Sequence, residues 1–356
     1  MVFGFIITPG VCHAEWVNWI ARCFGWLTLT AVLALGQIAG LKPAAGTMAE
    51  GKIVVPAGID AATEIPIAVL RGAKPGPTLA VIAGIGGTEY APILATRQIT
   101  AILKLAELSG TLVLVHIANL PAFTERSVYV NPVDHKDLSR SFPGKADGTS
   151  SERIAYAIST QVIDKADAVL VLQAGGANMA LAPHVYQAVS GDAKMDAKMA
   201  AMALAFGINY IVVDRTAKSS KTSPEGAVLA SLKPVLKVKC GSFGVPDSRT
   251  VDTFVKGMVS VMTLLEMMPG TPSKTRIPVF FDQTVMLESP QSGVLLVYAG
   301  RGDNVHKGDP IFAVANFSGK NPQIVKAPID GIVIFTMNTP PVNKGETVSM
   351  IGAPRE

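Results

Sequence analysis

A chain of 356 residues with 49% hydrophobic and 16% charged content can bury a large core, which excludes a disordered or fibrous protein and favours two domains over one. The formal net charge of +4 is small for this length and is not gathered into a dense Lys/Arg block, which excludes a nucleic-acid surface.

Residues 1–49 differ from the rest. After Arg22 an uncharged apolar run, "CFGWLTLTAVLALGQIAG", reaches Gly40; Lys42 and the small residues of "PAAGTMA" follow, with Thr47 and Ala49 at signal-peptidase spacing. This reads as an export signal and places the mature protein in the periplasm or outside the cell. An uncleaved N-terminal membrane anchor is the alternative, although the run is short of the about 20 apolar residues that a span needs. Trp16, Trp19, Trp26, Cys12 and Cys23 all lie in this segment, so the mature chain carries one thiol, Cys240, and no internal disulfide.

From residue 50 to residue 268 short β-rich runs alternate with helical periodicity. "TLAVIAGI" (78–85) and "TLVLVHIAN" (111–119) are strands flanking a helix that begins near Glu89 and ends near Gly110. Further strands are expected at 166–176, 208–214 and 234–241, and helices near 152–164, 192–206 and 249–267. The class is α/β, with a mixed sheet flanked by helices.

Within the first unit, "AGIGGTEY" (83–90) joins strand to helix. A phosphate loop needs a Lys and a hydroxyl at its end, whereas Glu89 stands here at the helix start and would repel phosphate. The loop does occupy the carboxyl end of a strand, where α/β sheets build sites. As a purely structural residue, Glu89 would favour the helix dipole by about 0.3 to 1 kcal/mol.

"EMMPGTPSKTRIP" (266–278) is a linker. Residues 278–356 are nearly all short strands and Gly/Pro turns, with "VHKGDPIFAV" (305–314) closely repeated in "VNKGETVSMI" (342–351). Two related hairpins of this kind suit an all-β barrel-sandwich hybrid domain. No hairpin Lys flanked by Met is present, which argues against a biotinyl or lipoyl carrier.

The order of several segments resembles the succinylglutamate desuccinylase/aspartoacylase family, of the zinc carboxypeptidase-like superfamily. "KPGPTLAVIAGIGGTEY" is similar to its first strand and G-x-H-G-x-E loop, and "NLPAFTERSVYVNPVDHKDLSRSFPG" (119–144) to its N-x-x-A-F segment and D-x-x-D-L-N-R-x-F-P-G motif. "ADAVLVLQAGG" resembles the strand ending in D-L-H, and "KPVLKVKCG" the strand that carries the catalytic Glu.

The resemblance implies a hydrolase in which zinc, held by His, Glu and His, lowers the pKa of a water whose proton a Glu accepts, while an Arg grips the substrate carboxylate. Carried over by position, the first His falls on Gly86, the Glu is kept as Glu89, the second His falls on Gln173, and the general-base Glu falls on Lys239. The substrate-binding Asn becomes Ser139 beside a retained Arg140, and a further substrate Arg falls near Val128, with Arg126 two residues away. One carboxylate with Gly and Gln does not hold a catalytic ion, and a protonated Lys cannot accept a proton.

The expectation is therefore a pseudoenzyme with no cofactor, binding a small carboxylate-bearing molecule near Arg140 and Lys239, with Lys239 paired to Glu89 in place of the metal. The alternative is a zinc-dependent deacylase of N-acyl amino acids or related amides and esters, with a relocated ligand set that includes His184. His116 reads as a packed core residue, His135 as a turn residue and His306 as solvated. Cys240 beside Lys239 lacks a partner base and reads as inert.

Overall fold

In the computed structural model, residues 37–355 are described. The export signal or anchor, with its Trp and Cys residues, lies outside them up to residue 36, and among the described residues no helix is long and apolar enough to cross a membrane. Thr47 and Ala49, the expected cleavage-site residues, are already part of the sheet: they open strand β1.

The α/β part comprises β1 (Thr47–Val55), β2 (Thr63–Arg71), β3 (Lys74–Ile82), α1 (Tyr90–Ile102), β4 (Ser109–Val115), α2 (Leu120–Thr124) and α3 (Ser150–Gln161). It continues through β5 (Ala168–Gln173), β6 (Met179–Leu181), β7 (His184–Ala188), α4 (Ala193–Phe206), β8 (Tyr210–Asp214), α5 (Pro224–Ala230), β9 (Val235–Lys239) and α6 (Ser248–Leu264). The β-rich remainder comprises β10 (Val279–Glu288), β11 (Gly293–Val297), β12 (Asn304–Val305), β13 (Pro310–Ala315), β14 (Gln323–Lys326), β15 (Gly331–Met337), β16 (Pro341–Val342) and β17 (Thr347–Pro354).

The large sheet has 13 strands in the order β1-β2-β4-β3-β5-β9-β7-β8-β10-β17-β15-β12, with β6 on β15. The strands β3, β4, β5 and β9 run parallel and β7 is antiparallel to β9, giving the mixed sheet expected. Helices cover both faces, which is why these strands read as continuous apolar runs. Ala80, Ile82, Val113, Val169, Val171 and Val235 face one core with α3 and α5. Their neighbours Leu79, Val81, Leu112, Leu170, Leu236 and Val238 face the other, with α1, α4 and α6. One residue of slip would turn each set to the wrong side.

The linker does not interrupt the sheet. β10 pairs in parallel with β8 and antiparallel with β17, so one ladder runs from the α/β part into the β-rich part. A second sheet of 4 strands, β14-β13-β11-β16, closes over a core that includes Leu287, Phe312, Val333 and Ile351. The two copies of the sequence repeat are split between these sheets in opposite senses. β12 lies in the large sheet and β13 in the small one, whereas β16 lies in the small sheet and β17 in the large one.

Candidate functional site

The two cores end where polar side chains replace apolar ones at the carboxyl ends of parallel strands. On β5 the α3/α5 face ends with Gln173, and on β9 it continues from Val235 through Lys237 to Lys239. Register places Gln173 beside Lys239 and, across the antiparallel pair, His184 on its other side. Two loops complete the wall. Asp137 accepts from the Ser139 amide at 2.8 Å and shapes the turn carrying Ser139 and Arg140. The Phe142 amide donates to the Thr222 carbonyl at 3.0 Å and draws that turn against the loop leading into α5. The result is a cavity of about 240 Å³ whose lining includes Ser139, Arg140, Gln173, Glu225, Lys237 and Lys239.

The 83–90 loop enters from β3. Gly84 has φ 66° and a Cβ there would lie 2.9 Å from the Ile117 Cα; a Cβ on Gly87 would lie 2.1 Å from the Ala122 carbonyl oxygen, so the turn itself demands both glycines. Glu89 is the N-cap of α1 and is turned back, accepting from the Gly86 amide at 3.0 Å. Burial raises its carboxyl from 4.5 to about 7 against the opposing effects of that amide and of Lys239.

Lys239 does not replace the metal as an ion-pair partner. Among the described residues its ammonium makes no ion pair within 4.0 Å, and Glu89 makes none either. Each senses the other's charge, yet desolvation is the larger effect on both and pushes both toward their neutral forms: the Lys239 amine is lowered by burial and then by Lys237. The cation that is paired is Lys237, 3.3 Å from Glu225 and 4.4 Å above the Tyr186 ring. Arg140 is 84% exposed and 3.6 Å from Asp137.

Zinc does not fit these residues. Among the described residues no three His, Cys, Asp or Glu side chains converge on a point. A side chain at Gly86 would begin 3.1 Å from the Glu89 carboxyl carbon, so the retained acid lies where the missing ligand would start. His184 is fully buried, its Nδ1 2.7 Å from the Ala182 carbonyl and its Nε2 without a partner. Burial holds its pKa at about 3, with Lys239 and Lys237 acting in the same direction.

Of the other sequence candidates, Arg126 is exposed with φ 54° after α2 and does not line the cavity. His116 packs against α1 with Nδ1 2.9 Å from Thr96 Oγ1, His135 is exposed in its turn, and His306 lies exposed 3.8 Å from Asp330. Burial pushes the Cys240 thiol up to about 11, which leaves it a protonated, inert thiol. It borders a larger groove of about 1120 Å³ between α6 and Arg301, away from Glu89 and Gln173. Asp137, Glu225 and Lys237 are site residues that sequence motifs did not single out. Only Asp137 carried a signal, as the second acid of the D-x-x-D-L motif.

A model of the succinylglutamate desuccinylase/aspartoacylase catalytic domain matches residues 75–265. The N-alpha-acetyl-L-2,4-diaminobutyric acid deacetylase of Halomonas elongata is 26% identical over 296 residues, covering 82% of this chain and 86% of that protein. The product-bound ectoine utilization protein of Ruegeria pomeroyi superposes with a TM-score of 0.79 at 24% identity, over 87% of this chain and 96% of that one. A succinylglutamate desuccinylase/aspartoacylase structure from Rhodobacter sphaeroides gives 0.78 at 22% identity, over 86% and 96%.

Proposed function

This chain belongs to the succinylglutamate desuccinylase/aspartoacylase family, a family of deacylases and deacetylases, and from that premise we propose that it binds a small carboxylate-bearing molecule without the zinc-dependent hydrolysis that the resemblance implies. The observation that carries this reading is the donor set: Gln173 at a ligand position and Lys239 at the general-base position line a cavity that keeps Arg140 and Ser139, and Gly86 stands at the other lost ligand position. A guanidinium at the mouth and an unpaired amine inside favour an anion. N-acetylated amino acids, the class named for the Halomonas relative, are the first ligands to test. The exchanged strands β12/β13 and β16/β17 support reading residues 278–356 as a barrel-sandwich hybrid domain. Export remains part of the proposal, on the character of residues 1–49.

The competing reading, a zinc deacylase using Glu89 and His184, draws on the unpaired Nε2 of His184. Metal analysis of the purified protein, paired with hydrolysis of N-acyl amino acids, separates the two. The binding reading expects no stoichiometric zinc, no turnover, and carboxylate affinity reduced roughly tenfold, or about 1.4 kcal/mol, in Arg140→Ala. Zinc with turnover abolished by Glu89→Ala would sink it.

A further inference from the structure

Lys239 is set apart from the other cations of the cavity by what it lacks. Lys237, two residues earlier on the same face of β9, is held by Glu225 at 3.3 Å and by the Tyr186 ring. Lys239 has no carboxylate within 4.0 Å among the described residues, and no side-chain hydrogen bond. Its neighbours across the sheet are Gln173 and His184, and both are neutral. Unlike Nε2 of His184, its Nζ is not sealed away: the side chain is half-buried and lines the cavity.

An amine that is unpaired and opens onto the cavity is accessible to a ligand's carbonyl carbon, toward which its unprotonated form is a nucleophile. Arg140 lines the same cavity but is largely exposed, so it stands at the entrance while Lys239 lies deeper. The volume of about 240 Å³ is below that of pockets for drug-sized molecules, commonly about 300 Å³ and above, and suits a small acid.

We propose that Lys239 captures small oxo-carboxylates as an imine, with the carboxylate held toward Arg140. The Nζ atom bonds to the carbonyl carbon, the carbon–oxygen bond breaks, and the oxygen leaves as water carrying the two amine protons. No oxidant or reductant is consumed, and added water reverses the step. The proposal rests on the reading that this cavity binds small carboxylates, and it adds the carbonyl that a merely ionic site would not require.

The test uses the full chain with pyruvate or 2-oxoglutarate and borohydride, which reduces an imine to a stable secondary amine. Peptide mass mapping is expected to place the adduct on Lys239 and not on Lys237, with succinate in excess suppressing it. Lys239→Arg supplies a cation that cannot form an imine and is expected to bind succinate, by calorimetry, while forming no adduct. Should that variant fail to fold, the Lys237/Lys239 contrast within the unmodified chain still decides. Adduct absent, or spread over surface lysines, overturns the imine. If succinate still binds, the carboxylate reading survives that failure; if it does not, both fall.

Discussion

Gly86 differs from the glycines around it. Gly84 and Gly87 are imposed by backbone geometry, whereas a Cβ at Gly86 would first meet the side chain of Glu89, at 3.1 Å. The loss of a side chain at 86 and the inward fold of Glu89 are therefore one packing solution. Its cost follows from the raised carboxyl. Below pH 4.5 the acid is protonated in both folded and unfolded chains; between 4.5 and about 7 the unfolded chain alone loses the proton, and stability falls as pH rises. Above that window the deficit is constant, at about 3 kcal/mol. Glu89→Gln keeps an acceptor for the Gly86 amide and removes the titration. Its gain in unfolding free energy over the parent is expected to be absent near pH 4 and to reach about 3 kcal/mol above pH 7, measured by urea melts. At this scale Glu89, Ser139, Arg140, Gln173 and Lys239 were legible because each stands in a motif with fixed spacing. Glu225 and Lys237 were not, since their arrival depends on β9 lying beside β5 and on α5 folding over both, which no local pattern records.

Elements were readable in proportion to their length and burial. The strands β3, β5 and β9 and the helices α4 and α6 showed continuous apolar runs or helical periodicity, and the observed ends fall within a few residues of those expected. β7 was not among the expected strands, because only 5 residues are paired and Pro183 directly precedes them; His184, read as a candidate ligand, is a strand residue paired with Lys239. The ends of helices offer a direct check. Asp247 caps α6, accepting from the Thr250 amide at 2.9 Å and from its hydroxyl at 2.7 Å. Asp247→Ala is expected to cost about 1 kcal/mol and lower Tm by about 2 °C, leaving succinate binding unchanged because the cavity lies elsewhere. A loss of binding would mean that α6 and the cavity are coupled.

The whole molecule balances opposing titrations. Burial lowers His116 to about 4 and His184 to about 3, so as pH falls below 6.5 the unfolded chain takes up two protons that the folded chain refuses. Stability contributed by these neutral histidines is complete above 6.5 and declines toward pH 4, on the order of 3 to 5 kcal/mol each. Glu89 works in the opposite direction over part of that range but is one group against two. The denaturant midpoint is therefore expected to fall on acidification from pH 6.5. His116→Gln, which keeps a partner for Thr96, is expected to flatten that fall by a measurable fraction; an unchanged slope would show that His116 takes its proton while folded.

The ladder from β8 into β10 has a last consequence, for any attempt to shorten the chain. The sequence linker at 266–278 invites a cut, yet β10 covers the flank of β8, and β15 supplies the pairing for β6. A fragment ending at Met268 would present β8, whose Ile211 and Val212 are buried, as an open edge able to recruit the same edge of another fragment. Light scattering should find that fragment forming larger assemblies than the full chain, which makes the β-rich portion a safeguard against aggregation.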